Sequence, residues 1–269
     1  KLVKYSEPIL QEEPKMDQVV ILAGGHGSRM KAAIPKPMLT VLDVPMLGWV
    51  VQACEQADLR RICVVTGYKS QFIEHYLNDK YRTVLQAERL GTGHAVMQAV
   101  PFLEEDTTGN TLVLCGDAPF MDSETIRLAY QLHKAQGNAV TVITAKLDNP
   151  YGYGRILRSE NGIAAIVEEK DATDAQRAIH EVNSGAYWFR TEALLTLLKG
   201  LSQSNVQGEY YLTDTVGLAL EQGEKAGAYL TENTDVVLGA NTRKDLLHLN
   251  EVARWKAVSY THLTLPTTP

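Results

Sequence analysis

Val19-Val20-Ile21-Leu22-Ala23-Gly24-Gly25-His26-Gly27-Ser28-Arg29-Met30 is the stretch on which the fold turns. An unbroken apolar run, mostly β-branched and closed by glycines, is the mark of a short strand buried on both faces. Gly24, Gly25 and Gly27 then allow backbone to approach a ligand closely and to aim N–H groups at anions. A strand feeding such a loop belongs at the carboxyl edge of a parallel sheet, where ligands of open α/β folds collect.

Three other readings of the loop compete with a phosphate cradle. A Walker loop needs Gly-Lys-Ser/Thr after its glycines, which is absent here. A dinucleotide fingerprint must open a long helix, but Pro35 and Pro37 follow within ten residues of Gly27 and cannot lie inside one. A purely structural tight turn is the third, and Arg29 beside the glycines speaks for an anion instead.

Outward from this strand, short apolar runs at 62–66, 83–86, 112–115 and 139–144 alternate with amphipathic stretches at 46–57, 70–77, 93–103 and 123–136. Such alternation predicts βαβ units and a mostly parallel sheet. The last helix is expected to open in a cap region after Pro119. From Tyr151 the order changes to short strands at 155–157, 163–167 and 185–190, with helices at 191–198, 211–222 and 242–256. The second half is expected to complete the sheet and add an antiparallel piece.

The chain has 269 residues, 45% of them hydrophobic, enough for a full α/β core. Lys and Arg total 26 against 32 for Asp and Glu, a net charge of −6. That balance offers no global field for nucleic acid or an anionic membrane, so phosphates must be held by local groups. Cys54, Cys63 and Cys115 lack metal or CxxC spacing and read as thiols of a reducing, cytoplasmic setting. No apolar run reaches the ~20 residues of a membrane span. Residues 1–15 read as an N-terminal extension, 16–241 as the main domain, 242–257 as a C-terminal helix and 258–269 as a disordered or non-native tail.

Arg29 and Lys36 are cations close to the loop, and Pro35-Lys36-Pro37 fixes the direction of the lysine stem. Either could stabilise charge on a transferring phosphoryl group. The run 112–115 ends in Gly116-Asp117-Ala118-Pro119, placing a carboxylate at the sheet's carboxyl edge. A hard cation that shares its shell with phosphate oxygens takes one or two protein oxygens, and Asp117 is a candidate.

Taken together, LAGGHGSRM (22–30), PKPM (35–38), QAERLGTGHAV (86–96), GDAPF (116–120), GYGRI (152–156), VEEKDATDAQR (167–177), EVNSG (181–185) and QGEYYLTD (207–214) form an ordered set. The chain resembles, over about residues 16–256, the uridyltransferase (pyrophosphorylase) domain of bacterial N-acetylglucosamine-1-phosphate uridyltransferases. That resemblance implies a GT-A-like (Rossmann-like) α/β nucleotidyltransferase fold, with a mostly parallel mixed sheet flanked by helices. It implies the reaction of UTP with N-acetylglucosamine 1-phosphate to give UDP-N-acetylglucosamine and pyrophosphate, with Mg2+. By position, Leu22, Ala23, Gly24 and Gly25 would line the uridine side, with Arg29 and Lys36 on the phosphates. Gln86, Gly91 and Thr92 would read uracil, an amide being able to pair with both a donor and an acceptor on the base. Asp117 and Asn241 would be the magnesium ligands, and Gly154, Glu168, Asn183 and the region of Tyr211 would contact the sugar.

Departures from the family pattern are equally specific. His26 stands where the family commonly carries Lys, and Pro37 is closer to glucose- and mannose-type nucleotidyltransferases. No six-residue β-helix repeat is present, so acetyl-CoA use and trimerisation are not implied, and a monomer or weak oligomer is expected. The alternatives to this reading are the same reaction on another sugar 1-phosphate and a non-catalytic nucleotide-binding module.

Overall fold

The computed structural model of the protein describes residues 17–25, 32–160 and 162–263. In chain order, β1 (Gln18–Leu22) is followed by the small hairpin β2 (Thr40–Val41) and β3 (Val44–Pro45), then α1 (Met46–Gln56), β4 (Arg61–Thr66), α2 (Ser70–Leu77) and β5 (Arg82–Leu85). The first half closes with α3 (Thr92–Gln98), α4 (Val100–Leu103), β6 (Asn110–Cys115), α5 (Ser123–Gln136) and β7 (Val140–Lys146). The second half holds β8 (Arg155–Ser159), β9 (Gly162–Val167), α6 (Asp174–Arg177), β10 (Glu181–Arg190), α7 (Thr191–Gly200), α8 (Asp214–Glu221), β11 (Ala226–Leu230) and α9 (Arg243–Leu263).

Among the described residues the main sheet has nine strands, with the order β11-β7-β10-β6-β1-β4-β5 and β8–β9 attached to β10. β1 is central and pairs in parallel with both β4 and β6. β10 runs antiparallel to both β6 and β7 and is what makes the sheet mixed. Period-two alternation sends Val19 and Ile21 to one face and Val20 to the other. The first face is covered by α1, α2 and α5 through Leu47, Val50, Ile73 and Ile126. The other is covered by α3, α4, α7 and α8 through Val96, Phe102, Leu194 and Val216. Both faces of the parallel core are therefore dry, which is why the middles of its strands are apolar.

Where the expected elements differ, the cause is local. The single helix expected over 93–103 is two, α3 and α4, because Pro101 supplies no N–H to continue the ladder. α8 starts at Asp214, not 211, because the preceding residues are bonded elsewhere: Tyr210 N–H donates to Leu90 O and Gly93 N–H to Tyr210 O. β10 begins at Glu181, four residues early, and contains a bulge between Asn183 and Ala186 with Gly185 at φ +78°. α5 is capped by Asp122, whose carboxylate accepts from Thr125 N–H at 2.7 Å. The last helix runs to Leu263, past the expected end at 256, since no proline or glycine interrupts that stretch. The edge strand β11 and the β2–β3 hairpin were not anticipated. The hairpin turn places Leu42 and Asp43 at φ +48° and +66°, and Asn250 Oδ1 of α9 accepts from Leu42 N–H at 3.0 Å.

Candidate functional site

The carboxyl ends of β1, β4, β5 and β6 meet on one side of the sheet, and Ala23 N–H, Gly116 N–H and Gln86 N–H extend the ladders past the strand ends. Above them lies a cleft of about 510 Å³. Leu22, Gly24, Gly25, Lys36, Gln86, Gly91, Thr92 and Asp117 line it, a set drawn from four separate sequence motifs. Ala23 is 1% exposed and faces the core, so it can meet a ligand only through its backbone. Arg29 and His26 lie outside the described residues.

Close backbone packing shapes the floor. A Cβ on Gly67 would fall 2.6 Å from Gly24 O, and one on Gly24 would fall 3.0 Å from Gln86 Oε1. Gly91 has φ +106°, and a Cβ there would sit 2.5 Å from Tyr210 O. These glycines therefore serve two ends: they let two chain segments touch, and they leave the wall beside Gln86 open. Thr92 Oγ1 accepts from Leu212 N–H at 3.0 Å, locking the 207–214 segment against the 86–96 segment. Gln86 is 6% exposed, and its Nε2 donates to Gly91 O at 3.1 Å and lies 3.1 Å from His94 Nδ1. With Nδ1 of the imidazole accepting, both amide hydrogens are engaged and Oε1 is left to face a ligand.

At the other end of the cleft the 3₁₀ turn Lys36–Met38, rigid through Pro35 and Pro37, directs the lysine inward. Lys36 Nζ lies 2.5 Å from Asp117 Oδ2 and 2.8 Å from Asn241 Oδ1. Asn241 is held at the start of α9: its N–H and that of Thr242 donate to Asp245 Oδ2 at 2.9 and 2.7 Å, and Asp245 N–H returns a bond to Thr242 Oγ1. The two residues expected to bind magnesium therefore converge on one cationic atom. An anionic and a neutral oxygen meeting at the edge of a phosphate-sized cleft is a donor set that suits a hard divalent ion. Lys36, Asp117 and Asn241 would then form a charge-neutralising group at one wall.

Gly154, Glu168 and Asn183 do come together, although the cleft lining does not include them. A Cβ on Gly154 would lie 3.5 Å from Glu168 Oε2 and 3.6 Å from Asn183 Cβ. Glu168 is not part of a solvated charge run: its Oε1 accepts from Thr213 Oγ1 at 3.2 Å. Burial, reinforced by the carboxylates of Asp171, Asp214 and Glu209, pushes its carboxyl up, against the lowering effect of that hydrogen bond. Asn183 spends both ends of its amide locally, donating to Tyr187 Oη at 2.6 Å and accepting from Gly185 N–H at 2.9 Å, so it shapes the bulge. Glu169, next in sequence, is structural, accepting from Arg155 and from Gly152 N–H. Tyr211 is buried and its hydroxyl donates to Asp171 Oδ2 at 3.3 Å. Cys115 links the two regions; burial pushes its thiol up to about 12, with Asp117 adding to the effect, Lys36 opposing it and Glu168 adding again. Arg89 and Glu209 also line the cleft and were not singled out in the sequence, although both stand inside quoted motifs.

The profile of the nucleotidyl transferase family matches residues 18–256, nearly the whole described fold. The chain belongs to this family. It is 42% identical over 236 residues to the bifunctional protein GlmU of Streptococcus gordonii, and 40% identical over 245 residues to that of Streptococcus mutans. These alignments cover 87% and 91% of the chain but 51% and 53% of the relatives, so the chain spans about half their length. The resemblance to one domain of a bifunctional enzyme is thereby borne out. Among solved structures, a Bacillus anthracis protein described as a glucose-1-phosphate thymidylyltransferase superposes with a TM-score of 0.73 at 22% identity, over 88% of this chain and 95% of that one. A UDP-glucose pyrophosphorylase complexed with UDP-glucose gives 0.73 at 16% identity, over 90% and 99%. At these identities the likeness speaks for the fold, and the expected nucleotidyltransferase fold is confirmed. Family and relatives agree with the expected enzyme class, a sugar-1-phosphate nucleotidyltransferase. No described helix is long and apolar enough to cross a membrane, and the three cysteines are free thiols.

Proposed function

We propose that the protein joins UTP to N-acetylglucosamine 1-phosphate, releasing pyrophosphate and forming UDP-N-acetylglucosamine. The observation that carries this reading is the convergence of Asp117 and Asn241 on Lys36, at the end of a cleft whose other wall is Gln86, Gly91 and Thr92. A phosphate oxygen of the sugar phosphate attacks the α-phosphorus of UTP in line. The new P–O bond forms as the bond to the bridging oxygen of the β-phosphoryl group breaks, and pyrophosphate leaves with that electron pair. The nucleophile is already ionised, so no general base is required and positioning supplies most of the rate.

Within this scheme Gly24 and Gly25 bring backbone against the nucleotide, Gln86 and the Gly91–Thr92 backbone hold the base, and Lys36 faces the phosphates, a role the resemblance gives to Arg29 as well. Glu168 accepts from the sugar, at a position its burial keeps in place. A bound Mg2+, held by Asp117 and Asn241, would supply charge neutralisation on the phosphate oxygens. A reducing cytoplasmic setting accords with three unpaired thiols.

The test is pyrophosphate release from UTP and Mg2+ with N-acetylglucosamine 1-phosphate or glucose 1-phosphate, with Asp117→Asn as control. Turnover with neither sugar phosphate would sink the reading in favour of a non-catalytic nucleotide-binding module. Pro37, which lines the cleft beside Lys36, favours the glucose-type alternative; a higher kcat/KM for glucose 1-phosphate would move the assignment there. If Asp117→Asn turned over like the parent, the metal assignment would be wrong.

A further inference from the structure

We infer that His94 is a positioning residue for base selectivity: its Nδ1, as acceptor, holds the Gln86 amide so that only a carbonyl oxygen faces the base. This rests on the reading of the cleft as a nucleotide site. Gly91 O can only accept, so the Gln86 atom 3.1 Å from it must be Nε2, which fixes the orientation of the amide. The second hydrogen of that nitrogen then points at His94 Nδ1, also at 3.1 Å. Gln98 Nε2 approaches His94 O at 2.9 Å and the ring Nε2 at 3.3 Å. Amide nitrogens face both ring nitrogens and a neutral imidazole accepts at only one; the shorter approach, 3.1 Å at Nδ1 against 3.3 Å at Nε2, together with the bond from Gln98 to His94 O, assigns acceptance to Nδ1. Tyr210 stacks on the imidazole at 6.2 Å between centroids and 25° between planes, limiting rotation of the ring.

Gln86 Oε1 is left beside Gly24, where any Cβ would come within 3.0 Å of it. A lone acceptor there pairs with the N3–H of a 4-oxo pyrimidine such as uracil. It faces the N3 lone pair of cytosine as acceptor against acceptor. Without the His94 contact the amide keeps one anchor, Gly91 O, and its second N–H loses its partner, so the carboxamide is free to turn.

The test compares UTP and CTP turnover in the parent, His94→Leu and His94→Asn, the last keeping an acceptor near the position of Nδ1. His94→Leu should raise KM for UTP about three- to tenfold and narrow the UTP-over-CTP preference by a similar factor, the scale of one lost hydrogen bond, with kcat within about twofold. His94→Asn should stay close to the parent in both. Unchanged KM and preference in His94→Leu, or an equal loss in both variants, would overturn the role of His94 while leaving the proposed reaction intact. A parent inactive with UTP would instead overturn the proposed reaction. The preference ratio separates positioning from a merely structural role, because a loosened fold lowers turnover of both nucleotides alike.

Discussion

Lys36 is the residue whose surroundings carry the most chemistry. Its ammonium sits between Asp117 and Asn241, the place a divalent ion would take, and its side chain is 13% exposed. Lysine and metal cannot both occupy that point, so under the proposed function Asp117 and Asn241 would hold the ion and the Lys36 ammonium would lie toward the cleft and the phosphates. Replacing Lys36 with Met should therefore tighten Mn2+ binding to the nucleotide-free protein by about tenfold, roughly 1.4 kcal/mol, while lowering turnover; a metal titration showing weaker or equal binding would contradict the displacement. Glu168→Gln keeps the shape of the side chain but removes its charge. KM for the sugar phosphate should rise by about two- to tenfold with KM for UTP unchanged, the scale of one hydrogen bond to an ionised group weakened to a neutral one. An equal rise in both constants would place Glu168 elsewhere than at the sugar.

At the scale of elements, α5 shows how much one cap can hold. Asp122 accepts from Thr125 N–H and Oγ1 and from Asn233 Nδ2 at 2.6 Å, joining the helix to the segment after β11. Asp122→Ala should cost about 1–3 kcal/mol in urea unfolding, a cap plus a tertiary hydrogen bond; a loss below about 0.5 kcal/mol would show that the cap is replaceable. The same scale shows what the sequence could and could not reveal. β1 and β6 were legible because strands dry on both faces carry unbroken apolar runs, Val19 to Leu22 and Leu112 to Cys115. The edge strand β11, Ala226–Leu230, is Ala-Gly-Ala-Tyr-Leu, with small residues and no β-branched side chain to mark a strand. The β2–β3 turn was hidden because Leu42 and Asp43 occupy positions usually given to Asn and Gly, and a contact from α9, 208 residues away, satisfies Leu42. Around the cleft, motif residues that act through backbone or through one outward atom were legible. The pairing of Lys36 with its partners was not, because it joins three distant segments. Nor could the sequence indicate that Asn183 also bonds Tyr187 and Gly185 within its own bulge.

For the whole molecule, the pH response has a separable component. His133 is 2% exposed, bonded to Thr141 Oγ1 and Asn110 Oδ1, and its pKa is lowered to about 4, chiefly by burial and secondarily by Lys134. Its unfolded value is near 6.5, so between these values the unfolded chain binds the extra proton and stability falls as pH falls. The full loss is about 3 kcal/mol, complete near pH 4 and absent above about pH 7. Glu168 and Asp214, both raised mainly by burial, act with the opposite slope. The difference between the parent and His133→Gln isolates the histidine: their unfolding free energies should converge as pH falls from 7 to 5. Parallel curves would exclude a neutral buried imidazole.

Asn241 reaches Lys36 across 205 positions of sequence and is set in place by the first turn of α9. During synthesis, therefore, Lys36 and Asp117 emerge and pair long before their third partner exists. The nucleotide wall, completed by Tyr210, also precedes it. The three-residue cluster is thus complete only once α9 docks on the β2–β3 hairpin. A chain that has lost that docking keeps most of its sheet but parts Asn241 from Lys36 and Asp117.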